Sequence, residues 1–144
     1  MVATEDFVSF ETAKLLRDKG FDAMCFHIYR VDGMQFYCAT RRAQPTTNEK
    51  IEAENKKNPK FKVHECTCPT LQMAVKWLRE NHNLYVNPVP NGIGKNVFYP
   101  RVYKNFEWGW TVLDSSLNGF QDTEFSSPEE ACEATIKYCL KNLI

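Results

Sequence analysis

The 144-residue sequence predicts an α+β fold: a mostly antiparallel sheet of about five strands with three helices packed largely on one face. Three observations carry this expectation. Over residues 69–81 (PTLQMAVKWLREN), Leu71, Ala74, Val75 and Leu78 recur at helical spacing, with Gln72, Lys76, Arg79 and Glu80 opposite. Residues 24–39 alternate with a strand's period of two on either side of Val31-Asp32-Gly33, a hairpin signal. The last eighteen residues open on Ser-Pro-Glu-Glu and continue apolar, as a capped helix does.

Taken in order, residues 7–19 form the first helix, with Ser9 as N-cap, Phe10, Ala13 and Leu16 as the buried stripe, and Gly20 as the stop. The hairpin pairs residues 24–30 with 34–39. A two-residue Asp-Gly loop would set Ile28 against Tyr37 and mix the two side-chain sets. A three-residue loop with Gly33 left-handed pairs Ile28 with Phe36 and Phe26 with Cys38, and is the register expected. Met24, Phe26 and Ile28 then line the core face, and Cys25, His27, Tyr29, Gln35 and Tyr37 the other.

Residues 40–62 hold seven basic side chains (Arg41, Arg42, Lys50, Lys56, Lys57, Lys60, Lys62) against Glu49, Glu52 and Glu54. They read as an exposed basic excursion, with a short polar helix over 48–57, before a strand at 61–66 returns the chain to the core. Pro69 suits the first turn of the central helix. A short strand at 84–87 ends at Pro88 and Pro90, and residues 91–95 make a turn without the glycine spacing of a phosphate loop.

A second hairpin joins 96–103 to 107–113. Phe98 and Val102 lie on one face of its first strand, and Val97, Tyr99, Arg101 and Tyr103 on the other, with Pro100 marking an edge or a bulge. After a polar connection at 114–126, Ser127 caps, Pro128 takes the first helical position and Glu130 closes a capping box. The helix then buries Cys132, Ile136, Cys139, Leu140 and Leu143. A faint echo between Ala13-Lys14-Leu15-Leu16-Arg17 and Val75-Lys76-Trp77-Leu78-Arg79 raises the idea of a duplicated helix-plus-hairpin unit.

The length suits one domain over residues 1–144. Eighteen basic residues balance eighteen acidic ones, so no global field recruits nucleic acid or an anionic membrane. The first twenty residues include Glu5, Asp6 and Glu11 and resemble no signal peptide, and no run approaches a membrane span. The cytoplasm is the expected compartment, with the six cysteines as reduced thiols.

FVSFETAKLLRDKGFD, PTLQMAVKWLREN and EEACEATIKYCLKNLI, in that order along the chain, resemble a group of short proteins of gut Bacteroidales genomes and of their phages and mobile elements. The resemblance implies a bacterial or phage cytoplasmic origin and brings no mechanism with it.

His64-x-Cys66-x-Cys68 is the most metal-like cluster, with Cys25-x-His27 as a further donor pair, but the Cys-x2-Cys or His-x3-His spacing of a zinc site is missing. No metal, cofactor or catalytic residue is expected. Cys132 and Cys139 suit core packing, and Glu129 and Glu130 suit helix capping. The second half follows the helix, three strands, helix order of a double-stranded RNA-binding domain. Glu129, Glu130 and Glu133 would repel phosphate where such a domain is basic.

The binding residues expected are His27, Tyr29, Tyr37, Tyr99, Arg101 and Tyr103, on one outward sheet face suited to a protein interface or to base stacking. The leading expectation is a small interaction or accessory protein of a phage or mobile element, bound to a protein partner. The alternatives are a nucleic-acid-binding module using residues 40–62 with the aromatic face, and a cysteine–histidine metalloprotein or enzyme.

Overall fold

The structure is a computed structural model that describes residues 6–38, 44–90, 97–113 and 118–144. The described residues form four helices and eight strands in small antiparallel sheets, and the chain resolves into two compact units, residues 1–70 and 71–144. The expected class is therefore observed. The single sheet of about five strands gives way to two three-stranded sheets and a two-stranded ribbon, and the expected three helices become four. No helix among the described residues is long and apolar enough to cross a membrane.

The first unit opens with α1 (Phe10–Asp18), capped by the Ser9 hydroxyl, which accepts from the Thr12 N–H. The helix ends in a Schellman motif. Phe21 N–H donates to the Leu16 carbonyl and Gly20 N–H to Arg17, with Gly20 at φ +92°. Phe21 and Leu16 are both fully buried beside this turn, each contributing roughly 1.5–3 kcal/mol of apolar burial.

Strands β1 (His27–Arg30), β2 (Gln35–Tyr37) and β3 (His64–Thr67) form an antiparallel sheet in the order β2-β1-β3. Ile28 faces Phe36, and Cys38 N–H donates to the Phe26 carbonyl, so the three-residue loop is observed with Gly33 at φ +84°. A Cβ at Gly33 would sit 3.0 Å from the Phe10 ring, a second reason for glycine there.

The expected division of this sheet into a core face and an open face does not hold. Ile28 and Tyr29 point to opposite faces, yet both are buried, at 2% and 8% exposure, while Met24, Phe26 and Met34 are exposed. On one face the α1 segment lies over Tyr29, whose ring meets Phe10 at 5.2 Å and whose hydroxyl donates to the Val8 carbonyl. The helices of this unit thus do not share an open-backed sheet.

The stretch expected as an exposed excursion holds α2 (Asn48–Lys57), at the bounds its polar pattern suggested, but the helix is docked. Asn48 and Ile51 are buried. β3 is an edge strand, and three of its backbone groups are bonded by side chains. Asn48 Oδ1 accepts from Thr67 N–H, Asn55 Nδ2 donates to the His64 carbonyl, and Arg17 Nη1 donates to the Glu65 carbonyl. Asn48 Nδ2 also donates to the Phe21 carbonyl, so one amide joins the end of α1, the start of α2 and the edge of β3. Arg41 and Arg42 lie outside the described residues.

The second unit begins with α3 (Leu71–His82), two residues later than Pro69 suggested. Pro69 instead ends the first unit, its carbonyl accepting from Val8 N–H while Thr70 bridges to Phe7. The buried stripe is Leu71, Ala74, Trp77 and Leu78, with Val75 only half-buried, because α3 packs against both a strand and the last helix. Asn83, left-handed at φ +56°, turns the chain into β4 (Leu84–Val86).

Strand β5 (Val89–Pro90) pairs with β6 (Phe98–Tyr99) as a separate ribbon. Pro100, with no N–H to give a ladder, divides β6 from β7 (Val102–Phe106), where one continuous strand was expected. β7 pairs with β4 on one side and β8 (Gly109–Val112) on the other, in the order β4-β7-β8.

Helix α4 (Pro128–Asn142) is N-capped by the Ser127 hydroxyl, which accepts from Glu130 N–H at 3.1 Å. The capping box closes only halfway, since the Glu130 carboxylate accepts from the Ser126 hydroxyl at 2.7 Å. Its buried face is Ala131, Thr135, Ile136, Cys139 and Leu140, while Cys132 and Leu143 are half-buried. Both α3 and α4 pack on β4, where Leu84 and Val86 are buried and Tyr85 between them is not. Leu84, Val86 and Val102 thus share a core face, while Tyr85 and Tyr103 on the opposite face are half-buried. The strand orders of the two units differ, so the echo between α1 and α3 does not extend to a repeated topology.

Candidate functional site

The six residues expected on one face belong to three sheets. His27, Tyr29 and Tyr37 stand on β2-β1-β3, Tyr99 on β5-β6, Tyr103 on β4-β7-β8, and Arg101 between the last two. Tyr29 is a correction. It is a core residue, because the chain before α1 folds over its face of the sheet. His27 is half-buried between Phe7 and Tyr37, with ring centroids 4.5 and 5.0 Å away, and Tyr37 is half-exposed across the ladder from it.

Tyr99 donates its hydroxyl to Glu124 Oε1 at 3.1 Å, and that hydrogen bond raises its pKa above the ordinary 10.0. Tyr99 and Arg101 line a shallow depression of about 390 Å³ with Gln121 and Asp122. This is a polar patch, apart from the aromatic cluster built around Tyr103.

Around Tyr103 its face of the sheet gathers a set that sequence reading left scattered. Tyr85 opposes Tyr103 in the ladder, with rings 6.3 Å apart, and meets Trp110 edge-on at 6.2 Å. Arg79, from the last turn of α3, lies over the Tyr85 ring at 5.7 Å. With Asn87 these side chains line a depression of about 400 Å³. Trp110 and Val112 remain 46% and 37% exposed. At the tip of the β7–β8 hairpin, Trp108 stacks on Phe106 at 4.8 Å while staying 78% exposed. The sequence signal for Tyr85 was its place between two buried aliphatic residues; its neighbours depend on strand order, which alternation alone does not give.

The cysteines are free thiols, all buried or half-buried. Burial pushes the thiols of Cys66, Cys132 and Cys139 up to about 12 and that of Cys25 up to about 11, so none is a thiolate at neutral pH. Cys66 and Cys68 are buried in the first unit, and no group of three metal-ligating side chains occurs among the described residues.

No protein family, curated protein or solved structure matches this chain. The aromatic face of the second unit therefore rests on its own geometry as the candidate contact surface.

Proposed function

We propose that this chain is a small accessory protein that acts by binding another protein through the aromatic face of β4-β7-β8. The observation that carries this reading is the Tyr85–Tyr103–Trp110 cluster with Arg79 over it, on the face opposite the buried Leu84, Val86 and Val102 and with Trp110 46% exposed. Aromatic residues and arginine are the side chains enriched in interface hot spots, tyrosine and tryptophan because they bury a large area with little loss of rotamer freedom and arginine because it adds planar hydrogen bonding and stacking.

A nucleic-acid platform needs a cationic track beside its stacking rings. Among the described residues, Arg79 is the one charged side chain lining this depression. The basic segment is partly engaged elsewhere, with Lys56 paired to Glu52 and Lys62 to Glu65.

Affinity capture of the tagged protein from a host lysate, with and without nuclease, tests the reading. One protein recovered under both conditions, and lost with Tyr85→Ala plus Tyr103→Ala in a chain that keeps its helical circular dichroism, is the expected result. Recovery that disappears on nuclease treatment, or that survives the double substitution, overturns it.

A further inference from the structure

The two edges of the β4-β7-β8 sheet differ. Asn105 N–H donates to Asn83 C=O and Asn87 N–H to Arg101 C=O, so the outward backbone groups of β4 belong to Leu84 and Val86, and both residues are buried. At β8, Leu113 N–H donates to Val102 C=O. With Tyr103 opposite Val112 and Asn105 opposite Trp110, the N–H and C=O groups of Trp110 and Val112 point away from β7. Among the described residues β7 is the only strand paired with β8, and Trp110, Thr111 and Val112 are all exposed.

Soluble proteins blunt such edges with lysine, proline or a bulge. Gly109-Trp110-Thr111-Val112 has no charged residue and no proline, and its ladder to β7 runs without a register shift.

We infer that β8 is a self-association edge. Two copies pair their β8 strands antiparallel about a two-fold axis at Thr111, joining two three-stranded sheets into one of six strands. The register follows from the backbone. The outward groups of each copy sit at Trp110 and Val112, symmetric about Thr111, so setting Trp110 against Val112 of the second copy satisfies two donors and two acceptors per copy.

Charge favours a second copy as the occupant. No charged side chain of β8 stands near the axis, and a chain of formal net charge +0 does not repel its own kind. Each new aromatic–β-branched pair, Trp110 with Val112, adds cross-strand packing. This goes beyond the partner-binding reading, because it concerns the backbone edge of the sheet, with Trp110 the one side chain that serves both. Thr111 opposes Lys104 and so points away from the face that carries Tyr85 and Tyr103.

The test uses the purified full chain in sedimentation velocity from about 1 to about 200 µM, a range that spans weak to moderate dimers. Reversible dimerisation is expected. Thr111→Lys sets two ammonium groups across the axis, each beside the Lys104 that opposes it in its own copy, and should dimerise at least about tenfold more weakly. Thr111→Glu sets two carboxylates there and should weaken the dimer less, because Lys104 offsets each carboxylate. An equimolar mixture should recover the dimer by opposite-charge pairing. Thr111 is exposed, and both substitutions lose the same Trp108 Nε1–Thr111 Oγ1 contact, so a folding defect would not be rescued by mixing.

A monomer throughout the range overturns the inference and leaves the edge to a segment of another protein. A dimer indifferent to both variants, or a mixture no better than either alone, overturns it as well. Capture of a protein partner through the aromatic face is expected to be unchanged in Thr111→Glu, so the two readings fail separately.

Discussion

Tyr29 and Ile28 are neighbours on β1 whose side chains leave the sheet on opposite faces, and both are buried. Alternation assigns Tyr29 the face opposite Ile28, and a one-sided sheet would leave one of the two exposed. The segment before α1 removes that choice by covering Tyr29, and its hydroxyl gives a hydrogen bond to the buried Val8 carbonyl. Tyr29→Phe removes that donor without changing the ring, and should lower stability by about 1–2 kcal/mol in urea denaturation. An unchanged midpoint would mean that the hydroxyl contributes nothing.

Glu65 belongs to the same scale. Burial opposes its ionisation, but hydrogen bonds from Arg17 at 2.6 Å and from Lys62 at 3.1 Å outweigh it and hold the carboxyl below its ordinary 4.5. A depressed folded pKa contributes stability that is present above the unfolded value and is lost as pH falls through the folded one. The acid limb of stability below about pH 4.5 should therefore flatten in Glu65→Gln. Melting temperatures of both proteins between about pH 2 and pH 7 would measure it, and parallel curves would contradict the assignment.

Among the elements, helices with a chemical start signal were the most legible. Ser9 and Ser127 cap where their sequences say they should, and α2 runs over its predicted residues. The docking of α2 was not legible, because amide side chains reaching a strand edge leave no apolar period to read. Asn48→Ala deletes the acceptor for Thr67 N–H and the donor to Phe21 C=O at a site 8% exposed. A loss of about 2–4 kcal/mol is expected, from two buried backbone groups left unsatisfied. Amide exchange should place the damage, with Thr67 N–H losing protection first.

The β1–β2 turn was legible because side-chain parity admitted one loop length. Gly33→Ala tests it, since a positive φ and a Cβ 3.0 Å from the Phe10 ring should together cost about 1–3 kcal/mol, by strain and by shifting Phe10. Gly20→Ala has a positive φ but open space around the new Cβ, and should cost less in the same thermal melts.

For the whole molecule, class and element order were legible and sheet composition was not. Which strands share a sheet depends on contacts far apart in sequence. Pro100 could be recognised as an interruption without revealing that β6 leaves β7 to pair with β5. The candidate face suffered the same loss. Tyr103 was singled out by alternation, but Tyr85 and Arg79 join it only once β4 is known to lie beside β7.

The second unit has a core of its own in Leu71, Ala74, Trp77, Leu78, Leu84, Val86, Val102, Ile136, Cys139 and Leu140. Residues 71–144 produced alone should therefore unfold cooperatively, with a stability of roughly 4–10 kcal/mol for a unit of this size. All three tryptophans of the chain fall in this unit, which supplies the probe. Trp77 is 6% exposed while Trp108 and Trp110 are 78% and 46% exposed, so the red shift on unfolding should come mainly from Trp77 and largely vanish in Trp77→Phe. A fragment that starts with fully solvated emission, or melts without a cooperative step, would mean that this core does not hold the unit together.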